Sequence, residues 1–313
     1  MIREPWLKWT SAVLAVLWAC LLSPTLLAAG TAKAFDTPQQ AADALIEAAA
    51  QFDVTALQQI FGPDEDSIFL TGERPLDRQR AIDFAAMARQ KHAVDADSKD
   101  AKRTLLVVGV ESWPFPVPIV KRGDKWAYDA EAGKQELLYR RIGANELDAI
   151  AICRGYVEAQ YEYAMQARDV YDTNQYAQRI VSTPGKRDGL AWQREDGSWG
   201  GPVGEKIARA IQQGYSTGVQ PYHGYFFKIL KGQGPAARLG ELDFVVKDKM
   251  IGGFALVAAP AGYGATGVKT FIVSHEGVVY ERDFGANTLA EFRKMERYNP
   301  DSQWKPVQES SAE

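Results

Sequence analysis

Five short stretches decide the fold: Tyr222-His-Gly-Tyr-Phe-Phe-Lys-Ile-Leu230, Asp243-Phe-Val-Val-Lys247, Gly253-Phe-Ala-Leu-Val-Ala258, Lys269-Thr-Phe-Ile-Val-Ser274 and Val278-Val-Tyr-Glu-Arg282. All are rich in β-branched and aromatic residues, and Gly, Pro and Asp punctuate the gaps between them. That is the pattern of an antiparallel meander. A sheet with an apolar face needs a cover, and the segment before it supplies one. Gly143 reads as a break and Asn145 as the cap of a helix reaching about Arg168. Along that helix Leu147, Ile150, Ile152, Val157, Tyr161 and Met165 form a broad apolar face. Leu147, Ile150 and Val157 are therefore expected under the strands that hold Phe254 and Phe271.

Upstream, Thr37-Pro38-Gln39-Gln40 is a helix start, with Thr as N-cap, Pro at the first helical position and Gln closing a capping box. Ala41, Leu45, Ile46 and Ala49 continue it as an apolar stripe. Asp53 reads as the cap of a short helix through Leu57, Ile60 and Phe61, stopped by Gly62-Pro63. A third helix, about Arg78 to Lys91, presents Ile82, Phe84 and Met87. The charged run Asp95 to Lys102 lacks periodicity and reads as a mobile loop. Strands are expected over Leu105–Val110, Val117–Lys121 and Lys125–Asp129, with Arg122-Gly123-Asp124 as the turn of the last pair. The fold class is α+β. The expected segments are 1–34, a leader; 35–143, a helix-plus-curled-sheet domain; 144–298, a helix packed on an antiparallel sheet; and 299–313, a tail.

The leader is an export signal. Arg3 and Lys8 give a positive start, Ala12 to Leu22 an apolar core, and Ala32-Lys33-Ala34 a cleavage site before Phe35, with an earlier one after Ala29. The apolar run falls short of the roughly 20 residues that span a bilayer. Trp18-Ala19 before Cys20 argues against lipid attachment. A soluble periplasmic product is expected, with no transmembrane segment in the mature chain. The net charge of −4 becomes −6 once Arg3, Glu4, Lys8 and Lys33 are removed, which argues against nucleic acid as a partner. Cys153 is then the remaining cysteine, so no internal disulfide forms.

Three resemblances follow. The Ala/Leu helix ending in Phe52-Asp53, the segment Trp113-Pro-Phe-Pro-Val-Pro118 and Lys125-Trp-Ala-Tyr-Asp129 resemble the NTF2-like cone, a fold that implies a pocket but no particular activity. Gly224-Tyr-Phe-Phe227, Gly264-Ala-Thr-Gly-Val-Lys-Thr-Phe-Ile-Val273 and Gly277-Val-Val279 resemble strands of type IV pilin and pseudopilin heads. The prepilin leader and long apolar N-terminal helix of those proteins are missing. Over nearly the whole mature chain, Trp113–Pro118, Arg140-Arg-Ile-Gly-Ala-Asn-Glu-Leu147, Gly185-Lys-Arg-Asp-Gly-Leu190, Pro221–Tyr225 and Gly252-Gly-Phe-Ala-Leu256 resemble an exported bacterial domain-of-unknown-function family, number twenty-nine fifty. That resemblance implies a fold and an address, and no activity.

Several catalytic patterns fail on context. Gly214-Tyr-Ser216-Thr-Gly218 fits a nucleophile elbow, but a helix over Glu205–Gln213 precedes the Ser where a strand is required. Gly262-Tyr-Gly264-Ala-Thr-Gly267 fits a dinucleotide fingerprint, yet lies between two strands with no helix to receive a pyrophosphate. His92, His223 and His275 are scattered, and Asp169, Asp172 and Asn174 make an incomplete calcium loop. Cys153 falls on an apolar helix face, the setting of an inert thiol. Catalytic, metal and cofactor assignments are accordingly none. The ligand-binding candidates are Trp113, where the curled sheet would open, Asp129, Tyr222, His223, Tyr225 and Tyr263, with His223 expected beside Tyr225 at the sheet edge. The leading expectation is a non-catalytic envelope protein that binds a small ligand or an envelope protein. The alternatives are a periplasmic hydrolase or isomerase using Asp129 as base in an NTF2-like cavity, and a pilin-like structural subunit.

Overall fold

The computed structural model describes residues 32–98, 100–165, 174–203 and 221–308. The chain forms two compact units that divide between Ala130 and Glu131. Both combine helices with antiparallel sheet, so the class is α+β.

In the first unit, α1 (Pro38–Gln51) starts as its residues dictate: the Thr37 hydroxyl accepts from the Gln40 N–H at 3.2 Å. The Gln40 side chain closes the box one residue further out, accepting from the Asp36 N–H at 3.1 Å. Asp53 caps α2 (Val54–Phe61) by accepting from the Ala56 N–H at 3.0 Å, and Gly62 ends it. The third helix, α3 (Arg74–Gln90), begins one turn earlier than the apolar pattern suggested, because Pro75 sits in its first turn. There the buried Asp77 accepts from both the amide and the hydroxyl of Thr71, at 3.0 and 2.6 Å. The Thr71 hydroxyl is the main reason its carboxyl is held below the usual value.

The charged run expected as a loop is instead a hairpin, β1 (His92–Asp97) with β2 (Asp100–Val108). Its polar residues occupy the exposed outer end, where Arg103 pairs with Asp97 at 3.3 Å, while Leu106 and Val108 carry the strand into the core. Val94 opposite Leu106 supplies the apolar contact that charge counting overlooked. The sheet is completed by β3 (Trp113–Pro114), β4 (Ile119–Arg122) and β5 (Lys125–Tyr128), in the order β1-β2-β4-β5 with β3 alongside β2. Gly123-Asp124 makes the two-residue turn between β4 and β5. Helices and sheet meet on Phe61, Phe69, Phe84, Phe115 and Tyr128, whose ring centroids lie 5.2–6.4 Å from one another in successive contacts. Phe61 and Tyr128 are buried in this core, and Phe69, Phe84 and Phe115 pack against it partly buried.

In the second unit, the helix expected from Asn145 is the end of a longer one. Helix α4 runs from Ala130 to Met165 with no break at Gly143. Asn145 does not cap it. Its side-chain amide donates to the Thr266 carbonyl at 2.8 Å, and Glu146 accepts from the amides of Val268 and Lys269 at 2.8 and 3.0 Å. These tertiary bonds occupy the polar groups that local reading assigned to a helix start.

The buried stripe of α4 is Ala149, Cys153, Tyr156, Ala159, Gln160 and Tyr163. Ile150 and Val157 flank it against the core as expected. Leu147 does not; it is 69 % exposed, because it lies nearly half a turn round the helix from the buried stripe. Gln160 is buried with its polar atoms satisfied by the Tyr156 hydroxyl and by both backbone groups of Ala177.

A small sheet follows: β6 (Arg179–Val181), β7 (Gly189–Gln193) and β8 (Trp199–Gly200), with β6 parallel to β7. The main sheet holds β9 (Tyr225–Leu230), β14 (Ala255–Pro260), β15 (Lys269–Ser274) and β16 (Val279–Asp283) as consecutive antiparallel neighbours. Between β9 and β14 the expected strand Asp243–Lys247 does not join that sheet. It is split into β11 (Leu242–Asp243), paired with β10 (Gly232–Gln233), and β12 (Val245–Val246), paired with β13 (Lys249–Met250). Phe244, fully buried, turns inward at the split.

Strand β14 is buried along its whole length, covered by α4 on one side and by elements including α5 (Thr288–Lys294) on the other. The stretch read as a tail contributes to this unit: Trp304 packs on Phe284, and β17 (Lys305–Pro306) pairs with β16. Among the described residues no helix is long and apolar enough to cross a membrane.

Candidate functional site

The chain enters the main sheet through Tyr222-His223-Gly224-Tyr225, a turn closed at both ends. The Tyr222 amide donates to the Tyr225 carbonyl at 2.9 Å and the Tyr225 amide to the Tyr222 carbonyl at 3.0 Å. The two central residues are left-handed, with φ of 48° at His223 and 75° at Gly224, as a type I′ turn requires. Glycine is needed at the second position: a Cβ there would lie 2.6 Å from Asn145 Nδ2 and 2.8 Å from Thr266 Cβ. A histidine with positive φ is uncommon and marks a position held by its surroundings.

What holds it is Asp148 on α4. His223 Nδ1 and Asp148 Oδ2 are 2.5 Å apart. The Tyr222 ring stands edge-on to the imidazole, 4.3 Å between centroids. Burial and, secondarily, the Asp148 charge push the Tyr222 hydroxyl above its ordinary value. In the tautomer that carries its proton on Nδ1, facing the Asp148 carboxylate, Nε2 is left as an acceptor.

This trio lines a groove of about 440 Å³ that runs along one side of α4. Ala151, Ile152, Gly155, Tyr156 and Ala159 form its floor, while Leu256 of β14, Ile180 of β6, Leu190 of β7, Pro202 and Val203 enclose it. The walls are apolar. The polar groups on its rim are Asp148, Glu158, Glu162, Tyr222 and His223. Gly155 leaves room at the centre, since a Cβ built there meets nothing within 4 Å. Among the described residues that line the groove none is Ser, Thr or Cys. Cys153, a neighbour on α4, faces the core, where burial pushes its thiol up to about 12.

Tyr222 and His223, both anticipated, thus meet at one site. The other candidates lie elsewhere. Tyr225 is in the core with its hydroxyl donating to the Lys269 carbonyl at 2.9 Å, and His223 packs against Tyr222 and Asp148 rather than beside it. Tyr263 is 43 % exposed on the β14–β15 turn, a glycine-rich hairpin loop as its position between strands implied. Trp113, 41 % exposed, and the half-buried Asp129 belong to the first unit. The residues 214–218, along with Asp169 and Asp172, fall outside the described part of the chain. Among the described residues no group of three or more His, Cys, Asp or Glu side chains could hold a metal ion.

Sequence reading missed Asp148, Gly155, Glu158 and Glu162. Their signal is a spacing: 148, 155 and 162 recur every seven residues and so share one line on a helix. The broad apolar face beside that line concealed it.

The fold and site define an α+β protein with an acid-rimmed apolar groove in its second unit. The chain belongs to the family described as "Protein of unknown function (DUF2950)", whose match covers residues 32–307. No curated protein and no solved structure matches it.

Proposed function

We propose that this is an exported, periplasmic protein that binds a ligand in the α4 groove without chemically transforming it. The observation that carries the reading is the convergence of Tyr222, His223 and Asp148 on an apolar groove of about 440 Å³. Pockets that hold small ligands fall at about 300–1,000 Å³ and pair apolar walls with a few placed polar groups. In this reading Asp148 orients His223, and His223 and Tyr222 orient the ligand.

Gly155→Phe tests the groove. Its side chain points into open space, and its backbone is helical, so replacing glycine there costs no strain. The variant should lose the fluorescence enhancement that Nile red gives with the native protein, while its thermal melt stays unchanged or moves up. Gly155→Ala, the size control, should keep the enhancement and gain about 0.5–1 kcal/mol of stability. Undiminished Nile red binding in Gly155→Phe overturns the assignment.

Export has its own test. Mature protein recovered from the periplasm should begin at Phe35, or at Gly30 if the earlier site is cut. Phe35 is buried and its N–H donates to the Trp126 carbonyl at 2.7 Å, a bond that a new terminal ammonium retains. Intact Met1, or a lipid on Cys20, would contradict this reading.

A further inference from the structure

Resting on the groove reading above, we infer that the ligand is a linear dication: an extended apolar chain with an ammonium group at each end. Asp148 and Glu162 lie two heptads apart on the same line of α4, with Gly155 midway. At a rise of about 1.5 Å per residue their backbones are about 21 Å apart. The floor between them is Ala151, Ile152, Gly155, Tyr156 and Ala159, with apolar walls facing it. The groove therefore reads acid, apolar, acid along its length. Glu158 reinforces the second acid end one turn before Glu162.

Charge and exposure agree with that occupant. Glu158 and Glu162 stand exposed on the rim, and among the described residues that line the groove none is Lys or Arg. At the other end Asp148 gives one oxygen to His223, and a carboxylate has a second to offer. A single amine on an apolar tail satisfies one end and leaves the other carboxylates beside hydrocarbon. A fatty acid places its charge against like charge. A chain with an amine at each end meets both acid ends while its methylenes cover the floor. Ammonium–carboxylate bonds partly shielded by apolar walls are stronger than those in open water.

Calorimetry with three probes separates the outcomes: dodecanediamine, dodecylamine below its micelle-forming concentration, and dodecanedioic acid. The diamine should bind about tenfold more tightly than the monoamine, weaken as salt is raised, and exceed the diacid by more. The double variant Glu158→Gln/Glu162→Gln, two surface changes on the helix, removes the whole second acid end and should abolish the diamine's advantage over the monoamine when both are measured on that variant. Gly155→Phe should abolish binding of both amines. Equal affinity of the native protein for diamine and monoamine, or indifference of the diamine to the Glu158→Gln/Glu162→Gln double change, overturns the dication inference. If the diacid or monoamine binds in a Gly155-dependent way under those results, the groove reading survives alone. If no probe shows Gly155-dependent binding, both fall.

Discussion

Replacing Phe254 with alanine should lower the stability of the second unit by about 3–5 kcal/mol, the usual cost of deleting a large buried aromatic. Phe254 is fully buried at the start of the longest buried strand. Its ring stands edge-on to Tyr156, Tyr161 and Tyr176, at centroid distances of 5.6, 5.4 and 4.7 Å. The neighbours cannot close over the vacancy cheaply. Tyr156 is tethered by its hydroxyl to Gln160 at 2.9 Å, and Tyr161 by its own to the His275 carbonyl at 2.6 Å. Most of the transfer and cavity cost should therefore appear in the measurement. Total stabilities are about 5–15 kcal/mol, so the variant approaches the limit of folding. Leu147→Ala is the matched control, expected within about 0.5 kcal/mol of native because that side chain is exposed. Urea denaturation of the two variants decides the matter. Equal midpoints for Phe254→Ala and Leu147→Ala would mean that the helix–sheet core has been misplaced.

Gly224→Ala should cost about 2–3 kcal/mol and displace the groove's polar end. Two effects add. An L-residue in the left-handed region loses about 1–2 kcal/mol relative to glycine. The added methyl, 2.6 Å from Asn145 Nδ2, must also push that amide off the Thr266 carbonyl, a hydrogen bond worth about 1 kcal/mol. Because Gly224 and His223 are the two central residues of one turn, the strain passes directly to the His223–Asp148 pair. The expected signature is a lowered melt together with a shifted His223 side-chain NMR signal. Alanine at 224 with a native melt and an unmoved His223 resonance would show that the turn is not held as described.

Much of the fold was legible because it follows from local chemistry. Thr37-Pro38, Asp53 and Gly62 start and stop helices through their own side chains or backbone preferences, and those rules act within three or four residues. The same holds for the strands around Phe227, Leu256, Ile272 and Tyr280, whose β-branched and aromatic content needs no distant partner to be recognised. The Asp95–Lys102 run was misread for the opposite reason. Its strand character comes from pairing with a neighbour, and charged residues are compatible with an exposed hairpin end.

Only the tertiary structure decided the continuity of α4 and the position of the groove. Gly143 and Asn145 carry the local marks of a helix boundary, yet the bonds from Asn145 and Glu146 to residues 266–269, more than a hundred positions away, give those polar groups better partners inside a helix. The Asp148–His223 contact joins residues 75 apart and leaves no periodic trace. By itself the sequence determined the α+β class, the caps at Thr37 and Asp53, the family and two of the groove's residues, Tyr222 and His223. Which residues face one another across the groove depended on the rotation of α4 over its sheet, set by the packing of Cys153, Tyr156 and Tyr163 rather than by the larger aliphatic side chains. Burial is a property of the whole packed interface, and a helix with apolar residues on more than one side leaves its rotation to be settled by what it packs against.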